Sequence, residues 1–288
     1  MMEFAKKMRE DLVLNGMVES TQQSYIRAVR QLEQYTHKKA SETQEQELRD
    51  YFLYLLNIKK FAPNTLKIAY HGIRFYYTIT LDQKWRIFDL VKPKDERKLP
   101  VVLSSEEVKR ILSVVKVHRH YAFLTTTYSC GLRLQEALNL HVGDISSDRM
   151  VVHVRNGKGA KHRHVPLPSS TLTVLRRYWA THRNQTFIFP AVGRSGKTSP
   201  SESKPMSKQS VQRAIKLAVT DAGISKKAHL HTLRHSYATH LLEHGVSLKL
   251  IQEYLGHANI QTTLIYVHLT SKSHDQAYKK IEALMNDL

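Results

Sequence analysis

Arg133, Lys158, His231, Arg234, His257 and Tyr266 are six side chains that could together cut a phosphodiester. Negative charge builds on the non-bridging oxygens of an attacked phosphate. The permanently charged, bidentate guanidiniums of Arg133 and Arg234 suit that charge. Tyr266 is the candidate nucleophile. A free phenol ionises only at a pH of about 10, so it needs a base or a cationic neighbourhood, and His231 is suited to be that base. Lys158 could protonate the departing 5′-oxygen, and His257 could hydrogen-bond the phosphate or steady the nucleophile. The scheme requires no metal and no cofactor.

Each residue also has a structural reading. Tyr266 alone could be a core aromatic, and Lys158 a solvated turn residue. Arg133 with Glu136 could be an i,i+3 helix pair, and Glu136 is expected to be structural support in any case. His231 with His235, and His240 with His244, have the i,i+4 spacing of zinc ligands. The chain has no HExxH, no cysteine pair and no nearby carboxylate to complete such a site, so no metal is expected.

Four of the six lie in one stretch, His229 to His268, which reads as three short helical patterns punctuated by Gly245 and Gly256. In the first, Leu233, Tyr237, Leu241 and Leu242 share an apolar face, and His231, Arg234 and His235 stand near the start, where free N–H groups favour an anion. Ser247 is a plausible N-cap for the second pattern. The third begins near Asn259 and carries Tyr266. Upstream, Arg133 lies between an apolar segment ending at Cys130-Gly131 and a helical LRLQEALNL. From Asp144 to Pro168 the period changes to two, with Met150, Val152 and Val154 and then Val165 and Leu167, so a β-hairpin is expected with Lys158 near its tip. Phe187–Phe189 could add a strand. Residues 193–207 read as a surface loop, and a helix follows over 208–222.

The N-terminal part reads as four amphipathic helices. They cover residues 2–16, a run from Ser20 or Thr21 to Tyr35, a run to Leu56 with Ser41 and Gln44 as a capping box, and a run from Pro63 to Ile79. Its basic residues Lys59, Lys60, Lys67, His71 and Arg74, with Tyr70, Tyr76 and Tyr77, could contact DNA backbone. The competing reading is a basic face over a tyrosine-rich core. The charged, proline-bearing residues 91–103 look like a linker, and Ser104 or Ser105 before Glu106-Glu107 starts a new helix. The fold class expected is mainly α with a small antiparallel sheet (α+β). The domains expected are a helical one over 1–90, the linker 91–103, and a mixed one over 104–288.

Charge narrows the partner. Lys and Arg number 44 against 25 Asp and Glu, a formal +19, and residues 101–288 carry +14 of it. That excess favours a polyanion, with double-stranded DNA the expected partner, bound less tightly as salt rises. Lys161, Arg163 and His235 join Lys59, Lys60, Lys67 and Arg74 as expected DNA contacts. Cys130 is the only cysteine, which excludes an intrachain disulfide and fits a reducing compartment. The absence of an apolar leader or an 18-residue apolar run argues against secretion and membrane insertion, so a cytoplasmic, nucleoid-associated location is expected.

Taken together these motifs resemble the tyrosine recombinases, or phage-integrase family, which includes the Xer resolving recombinases and integron integrases. Gly131-Leu132-Arg133-Leu134-Gln135-Glu136 matches the family's first box, and Lys158 within GKGAKHRHVPL its hairpin lysine. His231-Thr232-Leu233-Arg234 matches the His-x-x-Arg box and Leu255-Gly256-His257 the Leu-Gly-His box, with Tyr266 nine residues on. Ala137, where leucine commonly follows the glutamate, is a small departure. The resemblance implies cleavage without ATP or metal through a 3′-phosphotyrosine link, and strand exchange by a 5′-hydroxyl of the partner duplex. It implies a C-shaped clamp of a core-binding and a catalytic domain, working as a homotetramer on two DNA sites. A C-terminal helix, here Ser273–Met285, would dock on a neighbour, and an accessory directionality or activating protein could take part. The compact length resembles Xer proteins and simple mobile-element integrases, and residues 193–207 are too short for the helical insertion of integron integrases, so a phage, transposon or genomic-island integrase is the preferred reading. A chromosome- or plasmid-dimer resolvase is the alternative, and a non-catalytic DNA-binding regulator of the same fold is a reading from a different class.

Overall fold

A computed structural model of the chain describes residues 3–93, 99–155, 162–193 and 202–267. The chain divides into two compact units, Met1–Lys98 and Leu99–Leu288.

The first unit is helical: α1 (Glu3–Leu14), α2 (Glu19–Thr36), α3 (Glu45–Leu53), α4 (Pro63–Phe75) and the single turn α5 (Ile87–Leu90). Pro63 opens α4, where its missing N–H costs nothing. The capping box before α3 uses Gln44 and Glu47, not Ser41, because residues 40–42 form a 3₁₀ turn of their own. α3 and α4 each run on into a π-helical turn, Tyr54–Ile58 and Tyr76–Thr80. α2 crosses α4 closely at Gly72, where a Cβ would lie 2.8 Å from the Tyr25 Cα. Met8, Leu12, Val29, Leu32, Leu48 and Ile73 fill the core between them.

The tyrosines belong to that core. Tyr70, Tyr76 and Tyr77 are buried, and the Tyr70 and Tyr77 hydroxyls donate to the carbonyls of Phe88 and Ala40, each at 2.6 Å. They are therefore unavailable to a DNA backbone, because their apolar rings gain more from packing and each polar tip finds an internal partner. Tyr77 also packs its ring 4.2 Å from that of Trp85.

The second unit comprises α6 (Ser105–Ser113), α7 (His118–Ser129), α8 (Leu134–Leu138), a sheet of β1 (Ile145–Ser146), β2 (Val151–Val154) and β3 (Arg163–Pro166), then α9 (Ser169–Trp179), α10 (Lys208–Asp221), α11 (Leu230–Glu243), α12 (Leu248–Leu255) and α13 (Gln261–Leu264). The strands are antiparallel in the order β1-β2-β3, with Val152 opposite Val165. Alternation buries Val152, Val154 and Val165 and leaves His153 and His164 stacked on the other face, ring centres 4.9 Å apart. Phe187–Phe189 do not extend the sheet; Phe187 forms one isolated bridge with His141 while Ile188 and Phe189 enter the core. The helix α9 is a finding that residue periodicity did not suggest.

α7 runs through the centre of this unit, with Ala122, Phe123 and Leu124 fully buried. α11 packs against it and is buried from Thr232 through His240, except for half-buried His235. The helix is thus not the one-faced amphipath its leucines suggested. Two of its buried polar residues have clear partners: Ser236 Oγ accepts the Leu103 N–H at 2.9 Å, and His240 bridges the Tyr128 hydroxyl at 2.8 Å and the Leu103 carbonyl at 2.9 Å. A smaller apolar cluster of Tyr237, Ala238, Ile251, Leu255 and Tyr266 joins α11 to α12 and α13. No helix among the described residues is long and apolar enough to cross a membrane.

Candidate active site

The site grows from two chain reversals that require glycine. Gly131, between α7 and α8, has φ 57°, and a Cβ there would lie 2.4 Å from the Tyr237 ring. Gly256 ends α12 in the left-handed conformation, φ 62°, with the Arg163 side chain 3.0 Å from where a Cβ would be. A helix leaves its last carbonyls without helical partners. Here guanidiniums take them: Arg234 donates to Leu255 O at 2.5 Å and to Gly131 O at 2.7 Å, and Arg133 donates to Gly256 O at 3.3 Å. Two arginines distant in sequence are thereby fixed on consecutive carbonyls.

Glu136 ties the arginines together. Arg133 is the N-cap of α8, and its N–H donates to Glu136 Oε2 at 2.8 Å while its Nη1 donates to Oε1 at 2.7 Å. Arg163 grips the same carboxylate with both Nη atoms, at 2.9 and 2.8 Å, and Arg234 lies 3.7 Å away. The Glu136 side chain is 6% exposed. Burial alone would raise its pKa, but the hydrogen bonds and charge of Arg163, with those of Arg133, outweigh burial and hold it at about 2. Arg234 is 1% exposed; burial, followed by repulsion from Arg133, lowers it to about 9, so it remains charged at neutral pH. Three guanidiniums meet one carboxylate, and the excess positive charge is suited to an incoming phosphate.

Tyr266 follows α13 and is 2% exposed. Its hydroxyl is 3.0 Å from His235 Nδ1, and its ring stacks at 6.3 Å on that of His257. Burial raises the phenol's pKa, while Arg234 and Arg133 pull it down. His257 Nδ1 pairs with Thr263 Oγ1 at 2.9 Å; burial, then Arg234 and Arg133, depress its pKa to about 3. His235 is lowered to about 4 by burial, His231 and Arg234. His231 stands one turn earlier with its residue surface exposed; local desolvation of its ring and then Arg234 lower it too. At neutral pH these three rings are bases rather than cations.

Arg133, His231, Arg234, His257 and Tyr266 thus converge on one place. Two expected DNA contacts do not point to solvent. Arg163 has 9% of its side chain exposed and is committed to Glu136 and to Tyr254 O at 2.7 Å, because a buried carboxylate needs a bidentate partner. His235 faces Tyr266, the place expected for His231, because Tyr266, after α13, packs over position 235 and leaves position 231, one turn earlier, exposed. Neither orientation had a signal in residue type. In the first unit Lys59, Lys60 and Arg74 are exposed; Lys59 Nζ sits 5.7 Å from the Tyr54 ring centre and Arg74 donates to Tyr70 Oη at 3.3 Å. Lys67 is half-buried on α4. Lys158, Lys161 and Ser273–Met285 lie outside the described residues. No group of His, Cys, Asp and Glu able to hold a metal occurs among the described residues. Cys130 is fully buried, and burial raises its thiol to about 11.

Comparison with known proteins identifies the family. Residues 101–273 match the phage integrase family, and residues 4–87 match the phage integrase N-terminal SAM-like domain. A candidate integrase/recombinase of Sinorhizobium fredii is 37% identical, the alignment covering 92% of this chain and 84% of the relative. The tyrosine recombinase XerA of Pyrococcus horikoshii is 32% identical, over 82% and 81% of the two chains. The Tn1549 transposon integrase, solved with circular intermediate DNA, shares the fold at a TM-score of 0.69 and 20% identity, over 96% of this chain and 99% of that one.

Proposed function

The chain belongs to the phage integrase family and is a site-specific tyrosine recombinase, and from that premise we propose how its residues carry the reaction. Tyr266 attacks a DNA phosphate; Arg133 and Arg234 hold the non-bridging oxygens, and His231 and His257 hydrogen-bond the phosphate. The phosphorus–O5′ bond breaks, Lys158 protonates the departing oxygen, and the DNA is left joined to Tyr266 through its 3′-phosphate. The 5′-hydroxyl of a partner duplex then reverses the step. The new phosphodiester link conserves the energy of the one broken. The observation that supports this reading best is the meeting of the Arg133 and Arg234 guanidiniums at consecutive carbonyls, Gly256 and Leu255, beside one nearly buried tyrosine.

Residues 1–90 are read as the core-binding domain, 91–103 as the linker and 104–288 as the catalytic domain. Together they would clamp double-stranded DNA, with Lys59, Lys60, Lys67, Arg74 and Lys161 on the backbone. Four copies would assemble on two sites through 273–285, in the cytoplasm. Integration of a mobile element is the preferred reading, in keeping with a relative named integrase/recombinase, and dimer resolution by an Xer-type recombinase is the second, in keeping with a relative named tyrosine recombinase XerA.

The test is an SDS gel of covalent protein–DNA complexes, using DNA that flanks the gene, with EDTA and without ATP. Wild type should yield an adduct, and Tyr266→Phe should bind DNA as tightly and yield none. An adduct in the phenylalanine variant would refute the assignment of the nucleophile.

A further inference from the structure

We infer that His235 is itself catalytic, accepting the phenol proton of Tyr266 as the tyrosine attacks phosphorus and returning it when the strand is rejoined. The inference rests on the reading of Tyr266 as nucleophile and adds the base which that reading needs.

Geometry selects His235 among three nearby imidazoles. Its Nδ1 is 3.0 Å from the Tyr266 hydroxyl, within the range for direct proton transfer. His257 stacks on Tyr266, but its Nδ1 is engaged with Thr263 Oγ1 at 2.9 Å. His231 makes no hydrogen bond to Tyr266. Its ring instead meets the His235 ring edge-on, centres 4.5 Å apart, and its residue surface is exposed where a phosphate would arrive. One turn apart on the same side of α11, the two rings divide two tasks: His231, exposed, meets the DNA, and His235, covered by Tyr266, serves the nucleophile.

The charged and titratable groups around His235 are His229, His231 and Arg234 on its own helix segment and Tyr266 and His257 across from it. Neutral imidazole has one acceptor nitrogen, and with the phenol donating to Nδ1 the proton of the ring sits on Nε2. In the forward step the phenol oxygen bonds to phosphorus as its proton moves to Nδ1. The phosphorus–O5′ bond breaks, and the departing oxygen takes a separate proton from the general acid assigned above to Lys158. In rejoining, the 5′-hydroxyl attacks phosphorus and gives its proton back to the Lys158 amine; the bond from phosphorus to the Tyr266 oxygen breaks, and His235 returns its proton to the phenolate. The incoming phosphate carries the negative charge that makes the transient imidazolium tolerable beside Arg234.

The test measures single-turnover cleavage of saturating duplex DNA carrying the site, from acid to neutral pH. It compares wild type, His235→Asn and His235→Ala, each with Tyr266 and again with 3,5-difluorotyrosine at that position. Asn keeps a polar atom near Nδ1 but takes no proton. Both variants should cleave on the order of 10²–10⁴ times more slowly, as expected for loss of a general base. DNA affinity and circular dichroism should stay at wild-type values; the wild-type rate should fall towards acid pH, and that fall should disappear in the variants. The more acidic difluorophenol should recover much of the loss. An Asn variant with the wild-type rate and pH profile would overturn the proposal. So would a loss that the fluorinated phenol leaves unchanged, since His235 would then only position the ring. Either variant, once folded, carries the test. An absent adduct in wild type, or an adduct with Tyr266→Phe, would instead refute the underlying assignment of Tyr266.

Discussion

Glu136→Gln removes the one carboxylate that three guanidiniums share, and its cost can be worked from the structure. The carboxyl titrates at about 2 in the folded protein against a reference of 4.5, so its folded pKa is depressed. A depressed carboxylate contributes stability that is present above the unfolded pKa and is lost as pH falls through the folded one. A shift of that size corresponds to about 3 kcal/mol at neutral pH, of which about 2 kcal/mol is gone by pH 3. Glutamine costs more than this difference. Its amide nitrogen must face guanidinium donors of Arg133 or Arg163, and breaking a buried ion pair typically costs ~3–5 kcal/mol. The assay is denaturant unfolding followed by tryptophan fluorescence. The chain has two tryptophans, Trp85 in the first unit and Trp179 on α9 in the second, so a Trp85→Phe background reports on the second unit alone. The variant should lose about 3–5 kcal/mol at pH 7, and the gap to wild type should narrow by about 2 kcal/mol at pH 3. A loss under about 1 kcal/mol, or a gap independent of pH, would refute the claim that this carboxylate holds the site together.

Two other perturbations probe the frame and the electrostatics. Gly131→Ala combines a positive φ with a Cβ 2.4 Å from the Tyr237 ring, so it should cost at least ~2 kcal/mol in thermal or denaturant unfolding and displace the carbonyl that holds Arg234. Lys59→Ala and Lys60→Ala, on the exposed turn before α4, should each reduce the slope of log affinity against log salt by about 1 if each lysine neutralises one phosphate. An unchanged slope would take that turn off the DNA.

Elements with a local chemical cause were legible in the sequence. Ser104 with Glu107 caps α6, Ser247 caps α12, Pro63 opens α4, and alternating valines form β2 and β3. What sequence left open was direction. Arg163 and Lys59 are alike as basic residues near turns, yet one is closed over a buried carboxylate and the other is exposed. Tyr70 and Tyr77 looked equally fit for DNA or core until Phe88 and Ala40 supplied carbonyls for their hydroxyls. The exchange of His231 and His235 has the same origin. Helical spacing puts both on one side of α11, but only the packing of α13 decides which ring meets Tyr266. Likewise the π-helical ends of α3 and α4 answer to tertiary packing and have no cap or breaker to announce them.

The arrangement also links folding to chemistry. A buried carboxylate with fewer positive partners would be easier to assemble, yet this one is shared by three guanidiniums, and the surplus charge is held by carbonyls alone. Carbonyl oxygens satisfy the N–H donors without cancelling their charge. Arg133 and Arg234 are thus fixed in position while the three guanidiniums keep two positive charges beyond the one that Glu136 offsets, which is the preorganisation that a transition state with growing negative charge requires. Tyr266 sits within the same field, where Arg133 and Arg234 oppose the effect of burial on its phenol. An anion arriving between them would relieve the repulsion that depresses Arg234 and at the same time favour a proton on the neighbouring imidazoles. On the proposed roles, phosphate binding, the charge state of the imidazoles and the acidity of the Tyr266 phenol would be parts of one electrostatic balance, with Glu136 as its only fixed negative charge among the described residues in contact with the arginines.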